Sequence, residues 1–215
     1  EGMDADRMID QLDREFVLLR DAVTAADPLA RVPSCPDWNA GDLSLHVAHV
    51  YLHKAETMRR GEWPEPWPPA ECDLVDSFER LRAEFAARAP EQHALTWFPP
   101  DLTVAFWIRR MLHETVVHRI DAELAAGRSV SPVADDVAED GVDEVLRRFL
   151  EFEYPRWPDY FAEVGDLDAP VAVRAGQRAW TVAPGVVVND GGSDPAVDGR
   201  PDEVLRWLWG RGGEP

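Results

Sequence analysis

Five of the six histidines fall on two predicted helices, and their spacing against nearby acidic residues sets the chemistry available to them. His46, His49 and His53 lie on one helix; His113 and His118 lie on the other, beside Glu114. At about 100° per residue, Glu114 and His118 are separated by about 400°, so both project within about 40° of one face. His113 and His118 are about 500° apart and look to different sides. The run His113-Glu114-Thr115-Val116-Val117-His118 is therefore not the metalloprotease pattern, which needs two His four apart with the Glu between them. Glu114 with His118 instead offers an oxygen and a nitrogen one helical turn apart, the spacing that serves a single metal inside a helical bundle. A third ligand must come from the other helix. There His46 and His53 align within about 20° and His49 stands about 60° to the side, so spacing leaves all three open. Two His and one Glu leave a fourth position for water or substrate, the composition of a catalytic zinc site. A mononuclear iron centre fits the same donors. The competing use of Glu114 is an ordinary ion pair with Arg110, four residues earlier on the helix.

Hydrophobic periodicity supplies the elements that must position these residues. Met8, Ile9, Leu12, Phe16, Leu19, Ala22 and Val23 predict a helix over 4–26, capped by Asp4. Asp27-Pro28 to Pro36-Asp37-Trp38, with three prolines, breaks it. A second helix is predicted from Asn39, with Asp42 in its first turn, to about Arg60, before Gly61 and the Trp63–Pro69 segment that cannot be helical. A third is expected over roughly 70–89. A fourth is expected from Leu102, capped by Asp101, to Ala126, with Gly127 at its end. A fifth is expected over about 135–152. Beyond Pro158 the pattern changes to short Val-rich runs at 169–175, 178–183 and 186–189, then a short helix at 201–209. The expected fold is mainly α: a four-helix bundle over 1–157, which carries the metal site, followed by a small α+β unit over 158–215.

Composition narrows the function classes. The 215 residues hold 22 Lys plus Arg against 41 Asp plus Glu, a net charge of −19. That excess of negative charge opposes duplex nucleic acid and anionic membrane surfaces as partners. No apolar run is long enough for a membrane span. Two cysteines, Cys35 and Cys72, without a disulfide framework suit a reducing compartment, and a cytoplasmic monomer or homodimer is expected. Cys35 has no basic neighbour in sequence and Cys72 stands between Glu71 and Asp73, so neither reads as a nucleophile. Phosphate-binding glycine loops and nucleophile elbows are missing from the sequence.

Val32-Pro-Ser-Cys-Pro-Asp-Trp38, then Asp42-Leu-Ser-Leu-His46-Val, then Arg110-Met-Leu-His-Glu114-Thr-Val-Val-His118-Arg-Ile-Asp121-Ala-Glu resemble the mycothiol-dependent maleylpyruvate isomerase family. That family belongs to the DinB-like superfamily of metal-binding four-helix bundles. The tail is similar to its C-terminal domain at Ala179-Trp-Thr-Val182 and Leu208-Trp-Gly-Arg211. The resemblance implies a metal triad of His46, Glu114 and His118, with His49, His53, His113 and Asp121 at most outside the coordination sphere. It implies zinc or another divalent metal, mycothiol as thiol cosubstrate, and a small electrophile as the other reactant. Arg211 matches an Arg near the end of the family's C-terminal domain and is the candidate for binding a substrate carboxylate as a bidentate partner. The short C-terminal unit, roughly 158–215, favours a detoxifying S-transferase over a maleylpyruvate isomerase. The alternative is a non-catalytic metal- or ligand-binding bundle of the same fold. Ligation by histidine also implies an affinity that falls as those rings protonate, near pH 6.5 for an unperturbed His.

Overall fold

A computed structural model describes residues 3–69, 72–162 and 166–215 and divides the chain into two compact units. One spans Asp4–Ser131; the other holds Met3 and the described residues of 132–215.

The first unit is a four-helix bundle: α1 (Ala5–Ala25), α2 (Ala40–Arg60), α3 (Leu74–Ala86) and α4 (Val104–Ala125). Each start is fixed by a side chain that accepts otherwise unpaired first-turn amides. Asp4 accepts from Arg7 at α1, and Asp73 accepts from Val75 and Asp76 at α3. Asn39 and Asp42 form a reciprocal capping box at α2. Thr103, not Asp101, caps α4 by accepting from the Phe106 amide, while its hydroxyl donates to the Asp101 carboxylate. The expected start of α3 at Ala70 and Glu71 lies outside the described residues, and the helix proper begins only after the Asp73 cap.

The proline-rich stretch between α1 and α2, expected to be only a break, folds as a small antiparallel hairpin. Its strands are β1 (Arg31–Val32) and β2 (Cys35–Asn39), joined through Pro33-Ser34. The prolines stand where their missing N–H groups cost no ladder bond, as an edge hairpin allows.

Helix α1 packs along α4, and α2 lies against both α3 and α4. Leu12, Leu19, Leu43, Tyr51, Leu81, Ile108 and Leu112 are fully buried between them. Phe16 stacks on Phe78 at 3.6 Å between ring centroids, with Tyr51 edge-on to Phe16 at 6.1 Å. The Tyr51 hydroxyl and Thr115 Oγ1 are 2.6 Å apart, tying α2 to α4. Arg119 on α4 is wholly buried and reaches Glu15 on α1 (Nε to Oε2, 2.8 Å), Glu123 (2.9 Å) and the Ser131 carbonyl (2.7 Å).

In the second unit, α5 (Asp135–Glu144) runs into a π-helical continuation at Val145–Glu151, where one unbroken α-helix was expected. A single turn, α6 (Pro158–Phe161), follows. Strands β3 (Val171–Ala175), β4 (Arg178–Ala183), β5 (Val187–Asp190) and β6 (Val197–Gly199) form a sheet in the order β5-β4-β3-β6. The β3–β4 hairpin turns at Gly176-Gln177 with Ala175 opposite Arg178, and Gly176 takes the left-handed φ of 58°. The parallel edge strand β6, three residues long, carries no alternation from which to read it. Helix α7 (Pro201–Leu208) packs on α5 and β3, and that packing draws 132–157 into the C-terminal unit. The expected boundary at 157/158 thus moves to 131/132. The change of composition at Pro158 marks the start of the sheet region and not the edge of a compact unit.

Removing Arg119 strands two buried carboxylates, Glu15 and Glu123, that pair with no other cation among the described residues. Arg119→Ala should destabilise the protein by about 3–5 kcal/mol in urea unfolding. A loss below about 1 kcal/mol would show that the cluster contributes little.

Candidate metal centre

The stripe of α4 that faces α2 carries Trp107, Arg110, Glu114 and His118, three or four residues apart and so on one side of the helix. The first turns of α2 present His46 to the same place. His46 Nε2 lies 3.3 Å from Glu114 Oε1, and His118 Nε2 lies 3.2 Å from that same oxygen. One donor atom from each residue falls within 4.8 Å of the others, and this is the cluster of metal-ligand type found among the described residues. Two donors about 2.1 Å from a tetrahedral ion stand about 3.4 Å apart, which the two spacings to Glu114 Oε1 match, while the three donor atoms together fall within 4.8 Å of one another. Side-chain exposure falls from 36% at His46 through 18% at Glu114 to 10% at His118, so the cluster opens to solvent at His46.

The surrounding residues hold each donor in position. His118 Nδ1 is 3.0 Å from Asp121 Oδ2, and the fully buried Asp121 accepts in turn from the Ser34 hydroxyl on the hairpin. A carboxylate on the far nitrogen fixes the tautomer and leaves Nε2 directed at the cluster. Arg110 donates from Nη2 to Glu114 Oε2 at 3.0 Å, leaving Oε1 to the two imidazoles. The Arg110–Glu114 ion pair and the triad therefore coexist on the two oxygens of one carboxylate. Trp38, at the end of the hairpin, covers His46 with ring centroids 4.7 Å apart.

Burial would lower the pKa of His118, but hydrogen bonds to Asp121 and Glu114 and their charges outweigh it and raise it to about 9. Burial would likewise raise Glu114. The bonds from His118 and His46, with the charges of His118 and Arg110, hold it well below the ordinary carboxylate value.

Of the residues singled out in the sequence, His46, Glu114, His118 and Asp121 come together. His49 and His53 do not join them: their rings pack against Trp67, and His53 also faces Trp63. His113 is buried on α4 outside the cluster. Arg211 follows α7 in the second unit, where its Nη1 donates to the Trp209 carbonyl at 2.5 Å. Sequence reasoning missed Ser34 and Trp38, because the hairpin that delivers them reads as a proline break. Their one signal was position, within the Val32–Trp38 motif.

A cation bound at these three atoms must displace the His118 proton, which the metal-free protein retains up to about pH 9. The expected fall in affinity near pH 6.5 is thus moved upward by Glu114 and Asp121. Competitive zinc titrations should show apparent affinity rising about tenfold per pH unit between pH 7 and 9. A plateau throughout that range would contradict His118 as a ligand.

Comparison with curated proteins gave no match, and neither did comparison with solved structures. Family descriptions do match: the mycothiol maleylpyruvate isomerase N-terminal domain over residues 9–123, and the C-terminal domain of the same family over 136–214. The second match begins at α5, as the compact unit does, so the short tail that favoured a transferase over an isomerase loses its basis. With the bundle and the α+β unit each matched by its own domain, the chain belongs to the mycothiol maleylpyruvate isomerase family.

Proposed function

We propose that the protein is a metal-dependent enzyme that activates mycothiol for attack on a small electrophile, in an S-transferase or a maleylpyruvate-isomerase-like reaction. The observation that carries this reading is the convergence of His46, Glu114 and His118 from two helices, with Glu114 and His118 each oriented by a hydrogen-bonded neighbour. The donor set, two imidazoles and one carboxylate oxygen, suits zinc and leaves a coordination position for a substrate atom. A divalent cation held there lowers the pKa of a coordinated thiol and keeps it as the nucleophilic thiolate near neutral pH.

The chain's own side chains supply the rest. Asp121 keeps the His118 Nδ1 proton and turns Nε2 toward the site. Arg110 occupies Glu114 Oε2, so the carboxylate would offer a bound cation its other oxygen, Oε1. Trp38 packs against the His46 ring, which remains the solvent-facing member of the three. Arg211 is proposed as the guanidinium that binds a carboxylate of the electrophile.

Metal-loaded protein supplied with mycothiol and a panel of electrophiles should turn over, and His46→Ala should abolish both turnover and stoichiometric zinc. Turnover unchanged in His46→Ala would rule the reading out, and absence of turnover with every electrophile would favour the binding-only bundle. Asp121→Asn should keep the fold and weaken zinc about 10–100-fold, read by competition with a chromophoric chelator. Arg211→Gln should raise KM for carboxylate-bearing electrophiles about tenfold with kcat little changed; an unchanged KM would remove Arg211 from substrate binding.

A further inference from the structure

Lys54 is the only lysine among the 215 residues. It sits on α2, two turns beyond His46, and is partly buried. In a chain with 41 acidic residues, no carboxylate lies within ion-pair distance of its ammonium among the described residues. Elsewhere on the same helix the cations are paired: Arg59 and Arg60 both reach Glu56, at 2.6 and 2.9 Å. Lys54 Nζ instead donates to His53 Nδ1 at 3.0 Å and lies over two indoles, 4.9 Å from the Trp107 ring centroid and 5.9 Å from that of Trp63. His53 can accept because its ring is neutral: burial, then the charge of Lys54, lower its pKa to about 4.

The nearest negative influence is Glu114, whose oxygens are already committed, Oε1 to the two imidazoles and Oε2 to Arg110. Burial accordingly lowers the Lys54 pKa to about 8, with Glu114 opposing the fall and Arg110 adding to it. Eight residues at about 1.5 Å each put Lys54 about 12 Å along α2 from His46. Trp107 stands a similar distance along α4 from Glu114, with Arg110 between them. Along the α2–α4 seam Arg110 and His118 are each paired with a carboxylate, whereas Lys54 stands between aromatic walls with no carboxylate in ion-pair distance among the described residues.

We propose that Lys54, walled by Trp63 and Trp107, is an anion subsite that receives a carboxylate of the small-molecule reactant. A single ammonium between indoles matches a singly charged organic anion. A phosphate dianion would need more donors than Lys54 offers, and the acidity of the chain opposes polyanions. The subsite rests on the thiol-transfer reading for its reaction and deepens it by naming a residue of the bundle itself, on α2 beside the candidate metal centre, that would hold a carboxylate. Its binding can be tested without metal.

Benzoate and its neutral counterpart benzamide are the probes. Reductive methylation with ¹³C-formaldehyde gives one dimethyl-lysine resonance, because the chain has one lysine. In the metal-free protein benzoate should shift that resonance saturably and benzamide should leave it in place. Quenching of Trp fluorescence should show benzoate binding weakened about tenfold or more in Lys54→Met, with most of the affinity kept in Lys54→Arg. A resonance unmoved by benzoate, an equal response to benzamide, or an unchanged affinity in Lys54→Met would each overturn the subsite. The resonance decides the matter even if Lys54→Met does not fold. Since no ion is needed, these outcomes separate failure of the subsite from failure of the metal reading.

Discussion

The arrangement depends on one carboxylate shared in two directions. Glu114 gives one oxygen to a buried guanidinium and the other to two imidazoles. A carboxylate with both oxygens free could rotate, chelate or pair elsewhere. Held by Arg110, it presents one electron pair at a fixed point, and His46 and His118 converge on that point. Asp121 and that same Glu114 charge together outweigh burial and keep His118 protonated in the metal-free protein. The cluster is therefore held together as a hydrogen-bonded group, and on the proposed reading it would become a ligand set only when a cation replaces the proton. That exchange would couple metal binding to pH.

Positioning that carboxylate falls to parts of the chain far apart in sequence. Helix α4 is buried along much of its length and carries Arg119 on one side, tied to α1, and Glu114 on another, turned to α2. The Tyr51–Thr115 bond fixes the register of α2 against α4 immediately beside Glu114. The β1–β2 hairpin closes the circuit, with Ser34 on Asp121 and Trp38 on His46. The ligands themselves thus need only three residues, while their orientation needs α1, α2, α4 and the hairpin together.

Much of this was legible in the sequence where a regular period carried it. The 3.6-residue repeat located the four bundle helices, and the four-residue spacing of Glu114 and His118 marked them as partners while separating His113 from them. Spacing could not choose among His46, His49 and His53, because a helix can be turned about its axis until packing fixes it; the resemblance made that choice. The hairpin was hidden because Pro33 and Pro36 read as breaks, whereas at a sheet edge they cost nothing. The boundary at 131/132 was hidden because α5 has the same periodicity as a bundle helix, and only its packing on α7 assigns it to the second unit. Lys54 carried no pattern at all. A lysine on a helix reads as a solvated charge, and its lack of a counter-ion exists only once Glu114 is seen to be fully engaged.

The most direct test of the central claim is the absorption spectrum of the protein loaded with cobalt(II) in place of zinc, recorded before and after addition of mycothiol. One equivalent should give the intense visible bands of a four-coordinate site, and thiol should add a new near-ultraviolet band from sulfur bound at the vacant position. Weak six-coordinate absorption that thiol leaves unchanged would contradict a centre built from His46, Glu114 and His118 with room for sulfur.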